Sequence, residues 1–208
     1  MPTIHPLFCH PVIPLASIAH MDHVDEIGAG LVDGGLPVVE VALRGRHGIA
    51  AIRSLARRGD LLVGAGTVRT VAQVHEVLDA GAQFVVCPGL DPSVVAAART
   101  ADVPVIPGVL SPSEVQAALR LGLDQVKFFP AGTVDALAFL QAYSEVFPDV
   151  QFMPSGGVGP SNLDDYLSRP NVFAVSGSWI TTAASAGRAA VADACRRVAD
   201  AAASVRSE

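Results

Sequence analysis

Residues 111–129 read SPSEVQAALRLGLDQVKFF and contain one complete step from helix to strand. The opening SPSE is typical of a helix start, because serine caps the first turn, proline suits its first position and a glutamate follows three residues on. Apolar residues then recur at helical spacing until Gly122, after which a short apolar run suits a buried strand. The stretch therefore predicts a helix over residues 113–121 that leads into a strand over residues 125–129.

The same alternation of apolar runs and alanine-rich stretches extends along the chain, which is the mark of βα units on a parallel sheet. The predicted strands span residues 12–15, 38–42, 61–64, 84–86, 105–106, 125–129, 151–153 and 172–175. The predicted helices span residues 23–33, 49–58, 71–80, 93–100, 113–121, 134–147, 162–167 and 188–203. We therefore expect an α/β protein, a (β/α)8 or TIM barrel in a single domain over residues 1–208, with an open doubly wound sheet as the structural alternative.

Composition limits the possible partners. Hydrophobic residues make up 50% of the chain and charged residues 16%, which suffices for one sizeable core. A net charge of -6 argues against nucleic acid or an anionic membrane surface as the main partner. The three cysteines are widely spaced, and no basic leader or apolar run of about 18 residues is present. We expect a soluble cytoplasmic protein that binds neither nucleic acid nor membrane.

Lys127, in the sixth predicted strand, is the only lysine of the chain, although the sequence has 14 basic residues in all. A desolvated amine can lose its proton and attack a carbonyl, whereas a guanidinium stays charged and is a poor nucleophile. A charge inside an apolar, aromatic run is also costly unless it is paired or neutralised. Lys127 is therefore either a nucleophile or a strand-end lysine whose ammonium group reaches water.

Glu40 lies in the apolar run VVEVA, so in a barrel we expect its carboxylate to point inward. The active sites of (β/α)8 barrels form at the carboxyl ends of the strands. A carboxylate there is suited to general acid/base chemistry, and the alternative is a structural ion pair with Arg44 or Lys127. Function is favoured, because carboxylates in such clefts are more often catalytic.

Arg44 and Thr67 follow the second and third predicted strands. Arg44 would reach the barrel mouth and can bind a carboxylate through two parallel hydrogen bonds, while Arg46 is interpreted as a solvated arginine. Thr67 comes after the sequence GAG, which we interpret as a turn that brings the backbone close to a ligand. Its hydroxyl could support the same carboxylate.

Two glycine-containing segments follow the last two predicted strands, Ser155-Gly156-Gly157 and the segment SGS at residues 176–178. Many barrels bind phosphate at this place through exposed backbone N–H groups. Either segment alone could be a tight turn. The two in this order predict a phosphate site.

The motifs EVALR, GAGTV, PGL, PVIPG, KFFPA, PSGGV and GSW follow one another within residues 11–180. In these motifs, KFFPA with EVxLR above all, the chain resembles the family of 2-keto-3-deoxy-6-phosphogluconate (KDPG) and 4-hydroxy-2-oxoglutarate (KHG) aldolases. The resemblance implies a Schiff-base (class I) aldolase of the Entner–Doudoroff pathway that yields pyruvate and glyceraldehyde 3-phosphate. It also implies a homotrimer that needs no metal or organic cofactor.

By the same resemblance, Lys127 would form an imine with the C2 ketone of a phosphorylated keto acid, and Glu40 would move protons. Arg44 and Thr67 would hold the C1 carboxylate. The 6-phosphate would be bound by Gly156, Gly157 and Ser178, and the pocket would be lined by Phe129 and Pro88. The implied substrate-binding residues are Arg44, Thr67, Pro88, Phe129, Ser155, Gly156, Gly157 and Ser178.

Ser155 departs from the family pattern, because the phosphogluconate enzymes usually have threonine there and the phosphogalactonate enzymes an apolar residue. Serine keeps the hydroxyl group, which favours the gluconate substrate. The loop GTVDAL after KFFPA also looks shorter than usual. The alternatives are an aldolase that prefers the galactonate epimer or KHG, and a phosphosugar-binding barrel without turnover in which Glu40 and Lys127 form only an ion pair.

Overall fold

The computed structural model describes residues 5–206, which form nine strands, nine α-helices and four 3-10 helices. The strands are β1 (Val12–Ala16), β2 (Val38–Ala42), β3 (Leu62–Gly66), β4 (Phe84–Val86), β5 (Val105–Ile106), β6 (Gly108–Val109), β7 (Gln125–Phe128), β8 (Gln151–Pro154) and β9 (Val175–Gly177). The α-helices are α1 (Val24–Asp33), α2 (Gly48–Ala56), α3 (Val71–Asp79), α4 (Pro92–Thr100), α5 (Pro112–Arg120), α6 (Ala136–Val146), α7 (Leu163–Leu167), α8 (Trp179–Thr182) and α9 (Arg188–Arg206). The 3-10 helices are Pro6–Cys9, Met21–His23, Ala131–Thr133 and Ala183–Ala186.

All pairs of neighbouring strands are parallel, and together they form a curled sheet in two sections. One section has the order β5-β4-β3-β2-β1-β9 and the other the order β6-β7-β8. Isolated bridges from Phe152 to Val172 and from Ser155 to Ser176 run between the two sections. The predicted α/β class with a parallel sheet is confirmed.

Pro107 separates the fifth predicted strand from a further short strand. Residues 105–106 form β5 as predicted, while β6 was not predicted, so the described residues have nine strands and not eight. Proline has no N–H group to donate to the ladder and interrupts it. Its carbonyl oxygen still accepts a hydrogen bond from the backbone N–H of Lys127, at 2.8 Å.

The other boundaries differ by a few residues. The third strand continues to Gly66, so the predicted turn at residues 64–66 is wrong. The eighth predicted strand, residues 172–175, lies too early, since β9 begins at Val175. The short helix α8 was not predicted. The N-terminus of α5 has the predicted capping box, in which Ser111 and Glu114 each bind the other's backbone N–H.

The core lies on both faces of the sheet. Every residue of β1 and β2 is buried, as expected of parallel strands that are covered on both sides. On β7, Phe128 packs among the rings of Phe139, Tyr143 and Phe152. Successive side chains of a strand point to opposite faces, so Lys127 faces away from this aromatic cluster. Within residues 5–206, none of the helices has the length and hydropathy needed to span a bilayer.

Candidate active site

An ion pair between Lys127 on β7 and Glu40 on β2 forms the centre of the site. The Nζ atom of Lys127 lies 3.5 Å from Oε1 of Glu40, and the two side chains are only 4% and 0% exposed. At this separation the contact is a charge pair and not a short hydrogen bond. The pair brings together an amine, a group that can act as a nucleophile, and a carboxylate, a group that can transfer protons.

Two further contacts fix the carboxylate of Glu40. The hydroxyl group of Ser176, on β9, donates a hydrogen bond to Oε2 over 3.1 Å, and this serine is fully buried. On β3, a Cβ atom added to Gly66 would lie 2.2 Å from Oε1, so only glycine leaves room for the carboxylate there. The carboxylate of Glu40 is therefore surrounded by residues of three strands, β3, β7 and β9.

Phe129 connects the amine to the glycine-rich loop after β8. The ring centroid of Phe129 lies 5.2 Å from Nζ of Lys127, which is a cation–π distance. A Cβ atom added to Gly156 would lie 3.0 Å from the same ring. The aromatic ring thus lies between Lys127 and this loop.

The two glycines of this loop have backbone conformations that other residues rarely adopt. The φ angles of Gly156 and Gly157 are 79° and 93°. The N–H of Gly132 donates to the carbonyl oxygen of Gly156 at 2.6 Å, and a Cβ atom on Gly157 would lie 2.6 Å from Cα of Gly132. The loop packs tightly against residues 131–133, on the same side of the sheet as the end of β7.

Ser155 and Ser178 lie beside this loop. Ser155 is buried and bridges to Ser176 across the sheet, so its neighbour is the serine that binds Glu40. Ser178 is exposed and occupies the N-cap position of α8, with a hydroxyl group that makes no capping bond. The structure therefore brings the two predicted phosphate segments together at the carboxyl ends of β8 and β9.

Thr67 and Pro88 lie at the ends of β3 and β4. Thr67 is partly exposed, directly follows Gly66 and has a positive φ of 61°, which is uncommon for a residue other than glycine. The chain turns here and not at residues 64–66. The carbonyl oxygen of Pro88 approaches Gly108 so closely that an added Cβ would lie 2.2 Å away, and Gly108 is the strand partner of Lys127.

Arg44 is not brought into contact with the central pair. Its side chain is exposed and, within residues 5–206, makes no hydrogen bond or ion pair. It lines a surface depression of about 280 Å³ together with residues 17–19 and 45–47. Arg46 is likewise exposed, as interpreted from the sequence, although its Nε–H donates to His47.

The thiol of Cys87 is a further buried group beside the pair. Burial raises the pKa of Cys87 to about 12, an effect that the positive charge of Lys127 opposes and the negative charge of Glu40 reinforces. The thiol is therefore neutral at physiological pH. It contributes an uncharged wall next to the ion pair.

Sequence reasoning missed the roles of Ser176 and Gly66 as partners of Glu40. Ser176 was interpreted only as part of a phosphate segment and Gly66 only as part of a turn. A buried serine between apolar strand residues is a signal that its hydroxyl has a partner, but the partner lies 136 positions away along the chain. The fold was needed to identify it.

A buried lysine–carboxylate pair inside a curled parallel sheet, with a glycine-rich loop nearby, defines an α/β protein equipped for amine chemistry on a carbonyl compound. The model of the aldolase family of KDPG and KHG aldolases matches residues 5–195. The chain belongs to this family.

Relatives of known name agree with this assignment. The chain is 42% identical over 173 residues to 2-dehydro-3-deoxy-phosphogluconate aldolase of Pseudomonas aeruginosa, which covers 81% of this chain and 77% of that protein. It is 39% identical over 174 residues to KHG/KDPG aldolase of Escherichia coli, covering 83% and 82%. The crystal structure of KDPG aldolase from Legionella pneumophila, with pyruvate captured at low pH as a covalent carbinolamine intermediate, has a TM-score of 0.88 at 38% identity and covers 92% of this chain and 96% of that one.

Proposed function

We propose that this chain is a class I aldolase that cleaves KDPG to pyruvate and glyceraldehyde 3-phosphate through an imine on Lys127. The observation that carries the proposal is the buried pair of Lys127 and Glu40 in a member of the KDPG and KHG aldolase family. The carbinolamine named for the Legionella relative is the kind of adduct that precedes an imine.

The proposed reaction begins when Glu40 accepts a proton from the ammonium group of Lys127 and the resulting amine attacks the C2 ketone to form a carbinolamine. Glu40 returns the proton to the carbinolamine hydroxyl, which leaves as water and gives a protonated imine. The imine is an electron sink, so the C3–C4 bond can break once Glu40 accepts the proton of the C4 hydroxyl group. Glyceraldehyde 3-phosphate then leaves and an enamine remains. Protonation of the enamine at C3 and hydrolysis of the imine release pyruvate and regenerate Lys127.

The substrate's two acidic ends are assigned to opposite sides of the central pair. Arg44 and Thr67 are proposed to bind the C1 carboxylate, for which the exposed Arg44 side chain must turn toward the end of β3. Backbone N–H groups of Gly156 and Gly157, with the free hydroxyl of Ser178, are proposed to bind the phosphate. The positive φ angles of both glycines support this assignment, because such loops expose N–H groups to anions.

The walls of the pocket are assigned to Phe129, Pro88 and Ser155. The ring of Phe129 is supported as a wall by its position between Lys127 and Gly156. The hydroxyl of Ser155 is proposed to contact the sugar hydroxyls. This hydroxyl group, which the threonine of the phosphogluconate branch also has, supports the gluconate epimer.

We further propose that the two sheet sections close into a complete (β/α)8 barrel in a single domain. Support comes from the bridges to Val172 and Ser176, which connect β8 to the segment that contains β9. The homotrimer and the cytoplasmic location are proposed from the family resemblance, and the three free cysteines are compatible with a reducing compartment. Sedimentation of the purified chain tests the trimer.

Measurement of pyruvate release from three compounds tests the function: KDPG, its galactonate epimer and KHG. We expect the highest kcat/KM for KDPG and no release by Lys127→Arg, which keeps the charge but not the nucleophile. A second candidate function is an aldolase that prefers KHG, which is favoured by the name of the Escherichia coli relative. It predicts a higher kcat/KM for KHG than for KDPG. Ligand-dependent melting without pyruvate release would instead indicate a phosphosugar-binding protein without turnover.

A further inference from the structure

Ser176 is the only residue that donates a hydrogen bond to Oε2 of Glu40 within residues 5–206, and the interatomic distance is 3.1 Å. We propose that Ser176 is a positioning residue that orients the carboxylate of Glu40 for proton transfer. The inference rests on the proposed aldolase reaction and extends it to a residue outside the predicted site. Ser176 does not need to touch the substrate in this role.

The strand register places the two side chains beside each other. Glu40 of β2 is paired with Leu15 of β1, and Ser176 of β9 is paired with Ile13 two residues earlier on the same strand. Both side chains are fully buried, so neither can exchange its partner for bulk water. The hydroxyl and the carboxylate therefore meet across β1, inside the curled sheet.

The carboxylate has three different neighbours, and they fix its rotation about the Cγ–Cδ bond. Ser176 binds Oε2, Lys127 lies 3.5 Å from Oε1, and Gly66 leaves just enough space on a third side. The contact with Lys127 alone is too long to be a strong directional bond. The hydrogen bond from Ser176 is the shorter of the two contacts, so it contributes more to fixing the plane of the carboxylate.

A purely structural role is the competing explanation, because a buried carboxylate needs hydrogen-bond donors whether or not it is catalytic. The two roles predict different measurements. A structural donor affects the free energy of unfolding and leaves the folded enzyme's turnover intact. A positioning donor affects proton transfer in molecules that remain folded.

Three variants separate these roles. Ser176→Ala removes only the hydroxyl group, and Ser176→Thr restores a hydroxyl at the same position. Tyr143→Phe is the matched control, because it removes a hydroxyl that donates to the carbonyl oxygen of Leu110, at 2.9 Å, in the aromatic cluster away from the ion pair. Each variant is studied as the full chain under conditions in which circular dichroism shows it to be folded.

The steady-state parameters for KDPG are one measurement, and exchange of the methyl protons of pyruvate in deuterated water is the other. Exchange requires the imine on Lys127 and then removal of a C3 proton, so it reports proton transfer without the phosphate or the aldehyde. We expect Ser176→Ala to lower kcat and the exchange rate by about 10- to 100-fold at nearly unchanged KM. Ser176→Thr should recover most of the loss, and Tyr143→Phe should match the parent chain in both measurements.

The inference is overturned if folded Ser176→Ala keeps kcat and the exchange rate within about twofold of the parent, or if only KM rises. If Ser176→Thr does not fold, the alanine variant and the tyrosine control still decide the question. Failure of the proposed function itself is recognised separately, because the parent chain would then neither release pyruvate nor exchange its methyl protons.

Discussion

Gly66 lies so close to Glu40 that a Cβ atom at this glycine would approach Oε1 of the carboxylate to 2.2 Å and Cγ to 2.7 Å. The position therefore has no room for any side chain while Glu40 keeps its place. A β-strand normally favours larger residues, since glycine weakens a strand. The glycine is explained by the carboxylate on the neighbouring strand.

We predict that Gly66→Ala displaces the carboxylate of Glu40 and lowers kcat by about 100-fold, since a shift of about 1 Å in a reacting group has an effect of that size. Gly159→Ala is the matched control, because an added Cβ at Gly159 meets nothing within 4 Å. Steady-state kinetics on both variants provide the measurement. Equal kcat values for the two variants would contradict the assigned role of Glu40.

The ion pair predicts that substitutions of Lys127 and Glu40 have non-additive effects on the free energy of unfolding. Replacement of Lys127 by methionine leaves Glu40 buried without a cation, and removal of one partner of a buried pair costs about 3–5 kcal/mol. We expect urea denaturation of Lys127→Met to show that the free energy of unfolding is lower by an amount in this range. The double variant Lys127→Met with Glu40→Gln should recover at least half of the loss. Simply additive effects of the two substitutions would show that the two groups are not coupled.

Ser178 is predicted to act on phosphorylated substrates only. In Ser178→Asp, a carboxylate replaces the hydroxyl group that we assign to the phosphate, and like charges repel. We expect KM for KDPG to rise by about 10-fold or more and the parameters for KHG, which has no phosphate, to stay near those of the parent. A similar rise in KM for both compounds would place Ser178 outside the phosphate site.

The cysteines are predicted to differ strongly in reactivity. Burial raises the pKa of Cys87 to about 12 and that of Cys195 to about 11, whereas Cys9 is exposed. At pH 8 the thiolate fractions of the two buried residues are then about one in ten thousand and one in a thousand. We expect iodoacetamide to alkylate Cys9 alone in the folded protein and all three thiols in urea, as read by peptide mass spectrometry. Early alkylation of Cys87 would show that the site wall opens.

Much of the fold could be predicted because the sequence alternates regularly between strand and helix patterns. The single lysine was assigned to the correct strand because KFF follows a helix with an unmistakable capping sequence. The strand β6 after Pro107 was not predicted, since a strand of two residues has no measurable periodicity. A resemblance in short motifs then supplied the family, which the match over residues 5–195 confirmed.

The contacts within the site were less predictable than its members. An ion pair of Glu40 with Lys127 was one interpretation of the sequence, because a carboxylate inside a barrel needs a partner, and the two groups are 3.5 Å apart. The hydrogen bond from Ser176 depends on the register of β9 against β1, which no local pattern specifies. The position of Arg44 at the mouth of the site stays a prediction, because its side chain is exposed and has no buried partner that fixes its direction.

The central claim is that Lys127 forms an imine with a 2-keto acid. Incubation of the protein with pyruvate and sodium borohydride, followed by peptide mass spectrometry, tests this directly, and Lys127→Arg is the control. The claim predicts one reduced pyruvyl group per chain, located on Lys127, and none on the variant. An unmodified Lys127 under conditions in which the protein cleaves KDPG would contradict it.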